Sequence, residues 1–131
     1  MSRRTIGGAF VTAAAAAALA GANTVAAAPV AIGVVSGKPS EFHFTLTKSK
    51  AFHGTVIFTI ANKGALAHDF KVCRSPSTAL ANSCTGTGTK LISPGQSAKL
   101  TVVLSKPGKY EYLCTVTGHA AAGMKGWITV S

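Results

Sequence analysis

Apolar and polar residues alternate along most of this chain, and the alternation has the two-residue period of β-strands. Residues 30–36 (Val-Ala-Ile-Gly-Val-Val-Ser) read as a first strand. Residues 41–47 alternate with Phe42, Phe44 and Leu46 on one face. Residues 54–61 place Val56, Phe58 and Ile60 inward, and residues 97–104 do the same with Leu100, Val102 and Leu104. Residues 109–115 align Tyr110, Tyr112 and Cys114. A short strand over 67–72 carries His68, and a last one spans 127–130. Turn signals separate these runs: Asn62-Lys63-Gly64, Ser93-Pro94-Gly95-Gln96 and Lys106-Pro107-Gly108. Residues 73–89 form a long polar loop, with a short helical turn around Ser77–Ala81. Short strands at this spacing predict an all-β fold, a two-sheet antiparallel Greek-key sandwich of about seven strands.

The first 27 residues break this pattern. Arg3 and Arg4 precede an alanine-rich apolar run from Ala9 to Ala20, and Val25-Ala26-Ala27 has the small residues of a cleavage site. The sequence therefore predicts a signal peptide over 1–27 and one domain over 28–131. The run is short and weakly apolar for a membrane span, and cleavage is the favoured reading over an uncleaved anchor. Ser2-Arg3-Arg4-Thr5-Ile6 also fits a twin-arginine signal, and Sec and twin-arginine export both remain open at this point. The expected location is periplasmic or secreted, with contact to a membrane surface as a further option.

Charge narrows the partners. The chain carries a formal net charge of +10, which becomes +8 once Arg3 and Arg4 are removed, and its acidic residues are Glu41, Asp69 and Glu111 alone. Such a surface favours acidic partners. The lysines are scattered and form no basic run, so nucleic acid is not expected. Three cysteines is an odd number. Cys73 and Cys84 bracket a Ser/Thr/Asn/Gly-rich stretch and could close it as a disulfide in an oxidising compartment. That leaves Cys114 without a cysteine partner.

Cys114 stands in the arrangement Cys114-x4-His119-x4-Met124, and His68 lies far upstream. A thiolate, two imidazoles and a thioether are the donor set of a type 1 copper site, in which one copper ion cycles between Cu(I) and Cu(II). Taken singly, each residue has an ordinary explanation. Met124 would be core filler, Cys114 inert packing and His68 a buried strand histidine. Their joint occurrence is what points to metal. His43 and His53 lack any such context and read as strand or turn histidines.

Two stretches carry a family resemblance. One is Asn62-Lys63-Gly64-Ala65-Leu66-Ala67-His68-Asp69-Phe70. The other is Gly108-Lys109-Tyr110-Glu111-Tyr112-Leu113-Cys114, with Gly118-His119 and Met124 after it. In these the chain resembles the cupredoxins, the plastocyanin, azurin and pseudoazurin group of small blue copper proteins, over essentially its whole length beyond the leader. The resemblance implies that His68, Cys114 and His119 form the trigonal plane of one copper ion and that Met124 is the weak axial ligand. It implies a supporting shell of Asn62, Asp69 and Thr115, with Asp69 and Thr115 tying the ligand loops together. It makes His119 the point of electron entry, rimmed by Ala120, Ala121, Ala122 and Gly123. Two departures stand out. Thr117 occupies a position where many relatives have proline, and Ala67 one where azurins have glycine.

The function this implies is transfer of single electrons between redox proteins, such as a c-type cytochrome, an oxidase or a copper-containing reductase, by a monomeric carrier with no substrate of its own. Copper delivery or sequestration is the alternative. It fits less well, because trafficking sites are rich in methionine and this chain has only Met1 and Met124. An enzyme would need a second centre with further histidines.

Overall fold

Nine strands account for nearly all the regular backbone in the computed structural model, which describes residues 27–74 and 82–131. The leader through residue 26 and the expected helical turn at Ser77–Ala81 lie outside the described residues. The strands are β1 (Val30–Ser36), β2 (Phe44–Leu46), β3 (Lys50–Ala51), β4 (Gly54–Asn62), β5 (Lys71–Cys73), β6 (Gly86–Gly88), β7 (Ser97–Leu104), β8 (Gly108–Leu113) and β9 (Lys125–Val130). They form a four-stranded sheet in the order β2-β1-β4-β7 and a five-stranded sheet in the order β3-β9-β8-β5-β6.

The all-β, two-sheet expectation holds, with two changes. The sheets are mixed, since β1 runs parallel to β4 and β3 runs parallel to β9. Among the described residues the strand count is nine because β3 and β6 exist, and neither is long enough to show alternation. Register explains the core. Phe58 lies opposite Ile32 on one side and Leu100 on the other, and Val56 opposite Val102. Paired residues share a face, so these side chains form one buried surface. Val56, Phe58 and Ile60 are fully buried. The second sheet meets them with Tyr110, Ile128 and Val130, joined by Phe70 just ahead of β5. Phe70 is the joint, because its ring lies 5.1 Å from that of Phe58, 5.2 Å from Phe44 and 5.4 Å from Tyr112.

Two predicted strands are shorter than expected. The segment 41–47 is a strand only over Phe44–Leu46. Residues 67–72 do not form one continuous strand. His68 makes an isolated bridge to Ile92, and β5 begins at Lys71. The reason is local: the Phe70 N–H donates to the Thr89 hydroxyl at 3.1 Å rather than to a ladder carbonyl. At the opposite end of the sequence pattern, β8 stops at Leu113, and the Cys114 N–H donates to the Met124 carbonyl at 3.1 Å.

Phe58 has no exposed surface and packs in the centre of the core. Phe58→Ala is expected to destabilise the protein by about 3–5 kcal/mol, read as a lowered urea midpoint at unchanged m-value.

Candidate metal centre

The end of β4 begins the site. Asn62 is buried there, and its side chain acts as a three-way connector. Its amide nitrogen donates to the carbonyls of Leu66 and Ile92, each at 2.8 Å, and its amide oxygen accepts from the Gly64 N–H at 2.9 Å. These bonds fold residues 63–67 over the end of the sheet. The backbone then bridges to Ile92 in both directions, at 3.1 and 2.7 Å, and this sets His68 pointing inward with no exposed surface.

The second element is the loop after β8. The His119 N–H donates to the Val116 carbonyl, the Ala122 N–H to Gly118, the Gly123 N–H to Ala120 and the Met124 N–H to His119, at 3.0–3.1 Å. Gly118 and Gly123 take positive φ of 82° and 117°, a conformation glycine adopts without steric cost. The loop is therefore closed by its own backbone with Thr117 in place of proline. Asp69 joins the two elements. Its Oδ1 accepts from the Thr115 N–H at 2.6 Å and its Oδ2 accepts from the Thr115 hydroxyl.

As a result His68, Cys114 and His119 converge, with ligand atoms all within 4.8 Å of one another. The Nδ1 atoms of the two histidines face each other at 3.1 Å, and Cys114 Sγ lies 3.6 Å from His119 Nδ1. Met124 is fully buried and sits between these residues in the backbone bonding, accepting from Cys114 and donating to His119. His119 alone of the four reaches the surface, with the Phe42 ring edge-on at 4.9 Å.

One residue at this site was not singled out from the sequence. Glu41 Oε1 lies 2.7 Å from His68 Nε2. A carboxylate accepts, so the ring proton sits on Nε2 and the Nδ1 lone pair is left facing Cys114 and His119. Glu41 was read as part of a strand. Its scarcity, as one of three acidic residues in a strongly basic chain, was the available signal.

Ala120 is a correction. It was expected on the exposed rim of His119, but it is fully buried against Cys73, Cys84 and Leu113. The compact turn that closes on the Ala120 carbonyl directs its methyl group inward. Ala121, Ala122 and Gly123 are exposed. Cys73 and Cys84 are bonded to each other, and Cys114 is the free cysteine. His43 and His53 stand apart from the cluster, and His53 Nδ1 lies 3.0 Å from the terminal Ser131 carbonyl.

In the metal-free protein, burial disfavours charge on the donors. Burial pushes the Cys114 thiol up to about 11 and holds His119 below the ordinary imidazole range, with His68 adding to the second effect. Two imidazole nitrogens meeting beside a sulfur form a donor set that a soft or borderline metal ion would satisfy. The mixed nitrogen and sulfur donors, with a thioether adjacent, suit copper far better than a hard cation.

Two outcomes follow. Denatured, non-reduced protein is expected to titrate one thiol, rising to three after reduction, while the folded metal-free protein reacts slowly at pH 7 because its thiol is buried and protonated. Asn62→Ala removes the three side-chain bonds that hold residues 63–67 to the end of the sheet and is expected to cost about 1–3 kcal/mol in urea unfolding of the metal-free protein.

Comparison with known proteins agrees with this geometry. Among solved structures, auracyanin B superposes with a TM-score of 0.67 at 23% identity, covering 84% of this chain and 95% of that one. Rusticyanin from Thiobacillus ferrooxidans gives 0.64 at 24% identity, covering 79% and 77%. These likenesses establish the fold. In sequence, 43 residues are 44% identical to auracyanin-B of Chloroflexus aurantiacus, covering 33% of this chain and 18% of that protein. Another 40-residue match, 45% identical, is to the copper-resistant cuproprotein CopI of Pseudomonas aeruginosa, covering 30% and 22%. The matched stretches thus span only about a fifth of either relative. Residues 30–131 match the copper binding proteins of the plastocyanin/azurin family, and the chain belongs to that family.

Proposed function

We propose that this chain is an exported carrier of single electrons, in which His68, Cys114 and His119 hold one copper ion and Met124 supplies a weak fourth donor. The carrying observation is the convergence of three ligand atoms within 4.8 Å at a buried point from which only His119 reaches solvent. Copper held by such donors exchanges one electron between Cu(II) and Cu(I). The protein's own part is to keep the donors still. Asp69 clamps the His68 segment to Thr115, and Asn62 clamps the loop before it to the sheet.

The exposed edge of His119, with Ala121, Ala122 and Gly123 beside it, offers small side chains that admit close approach. Encounters of this type use small interfaces. The basic surface would steer an acidic redox protein toward it, such as a c-type cytochrome, an oxidase or a copper-containing reductase. The Cys73–Cys84 bond supports export, since disulfides persist in oxidising compartments. In this reading residues 1–27 are removed as a signal peptide and 28–131 act as a monomer without substrate chemistry.

Similarity to a copper-resistant cuproprotein favours a second reading, copper sequestration. Against it, His68, Cys114 and Met124 are fully enclosed, whereas a delivery site needs a route for exchange.

One equivalent of Cu(II) added to the metal-free protein should produce an intense visible thiolate-to-copper band, bleached by ascorbate and restored by oxidant. Cys114→Ser should abolish it, and Cys73→Ser/Cys84→Ser should retain it. Electron exchange with an acidic partner protein, followed by stopped flow, should slow as ionic strength rises. A colourless adduct, or copper that passes rapidly to a chelator, would favour sequestration.

A further inference from the structure

The Glu41 carboxylate has three partners, and two of them have nothing to do with metal. Its Oε2 accepts from the Ala65 N–H and its Oε1 from the Leu66 N–H, both at 2.9 Å. These backbone bonds fix the carboxylate before any ligand is considered. The remaining contact is the 2.7 Å bond to His68 Nε2. His68 is fully enclosed, while Glu41 is 27% exposed. An anion at the protein's edge is thus braced by two amides and aimed at the outer nitrogen of a buried imidazole.

Close packing makes this approach feasible. A Cβ added to Gly64 would lie 2.4 Å from Glu41 Oε1, and one added to Gly37 would lie 2.3 Å from the Gly64 Cα. Two glycines therefore let the segment 37–41 lie directly on the segment 63–66. Any side chain at Gly64 would push the carboxylate away from His68.

We propose that Glu41 is a positioning residue of the copper centre, which fixes the tautomer and ring angle of His68 and places a permanent negative charge behind that ligand. This rests on His68 being a copper ligand, as argued above. A histidine that donates its outer N–H to a carboxylate becomes a stronger donor, and loss of such a partner commonly weakens metal binding 10–100-fold. The charge also favours the more positive oxidation state, Cu(II), and so lowers the reduction potential.

The test compares Glu41→Gln and Glu41→Ala with the parent protein. In the metal-free protein, nitrogen–proton NMR should show a His68 Nε2–H that exchanges slowly at pH 7. In Glu41→Ala this signal should be lost to exchange. In the copper-loaded proteins, Glu41→Gln should keep the visible band, raise the reduction potential and weaken Cu(II) binding about 10–100-fold. Gly64→Ala should shift the potential in the same direction. Ser105→Lys makes the same change in net charge at an exposed position before β8, whose other end leads to Cys114, and should leave the potential in place. Glu41→Gln guards against Glu41→Ala failing to fold, and circular dichroism checks both. Unchanged potential and unchanged His68 N–H exchange in a folded Glu41 variant would overturn the proposal. Absence of a visible band in the parent protein would instead defeat the ligand assignment on which it rests.

Discussion

The link between Asp69 and Thr115 is the constraint on which the centre depends. His68 comes from the connection between β4 and β5, and Cys114 from the end of β8. These segments lie 46 positions apart in sequence, and no sheet ladder runs through both His68 and Cys114. Asp69 spans the gap with both carboxylate oxygens, one taking the Thr115 N–H and the other its hydroxyl. Because Asp69 adjoins His68 and Thr115 adjoins Cys114, the clamp fixes the spacing of the two donors themselves. Bonds between an ionised acceptor and neutral donors are stronger than ordinary ones, which suits a clamp at a partly buried position.

Charge placement gives this clamp its context. The chain has three acidic residues among thirteen basic ones, and two of the three, Glu41 and Asp69, stand beside ligand-bearing segments. Each is held by backbone N–H groups. The scarce negative charge is thus spent on geometry at the centre, while the positive charge is spread over the surface. A cation arriving at the cluster meets two nearby carboxylates, although the chain as a whole is strongly basic. The two are compatible because the anions are local and the cations are dispersed.

The sheet strands were legible because burial follows alternation. Val30–Ser36 and Ser97–Leu104 have the bounds the pattern predicts, and Phe58 and Ile60 face the core as it requires. The parallel pairing of β1 with β4 was not legible, since alternation gives a strand's faces and says nothing of its direction. β3 and β6 are too short to alternate at all. The cluster of Cys114, His119 and Met124 could be read from spacing because one loop carries it. Glu41 could not, being 27 residues from His68 with no spacing rule joining them. It reaches the site only because Gly37 and Gly64 allow two loops to touch. Ala120 failed for a related reason. The sequence shows three equivalent alanines, and the direction of each depends on a turn that its hydrogen bonds define.

A buried metal centre has to reconcile rigidity with access, and this fold separates the two by position. His68 is enclosed and braced on its outer nitrogen, and Cys114 and Met124 lie in the core cluster itself. Nothing about these three needs solvent. His119 differs in every respect. It is partly exposed, its ring has an aromatic edge from Phe42 for a neighbour, and it sits in a turn closed by backbone bonds. The contrast between the two histidines follows from their second nitrogens. That of His68 is committed to Glu41 inside the protein, and the exposed edge of His119 is the part of the cluster left for a partner to meet. In the electron-carrying role proposed above, the shortest route between the cluster and another protein would run through His119, and the braces on the other donors would let that route stay open without loosening the centre.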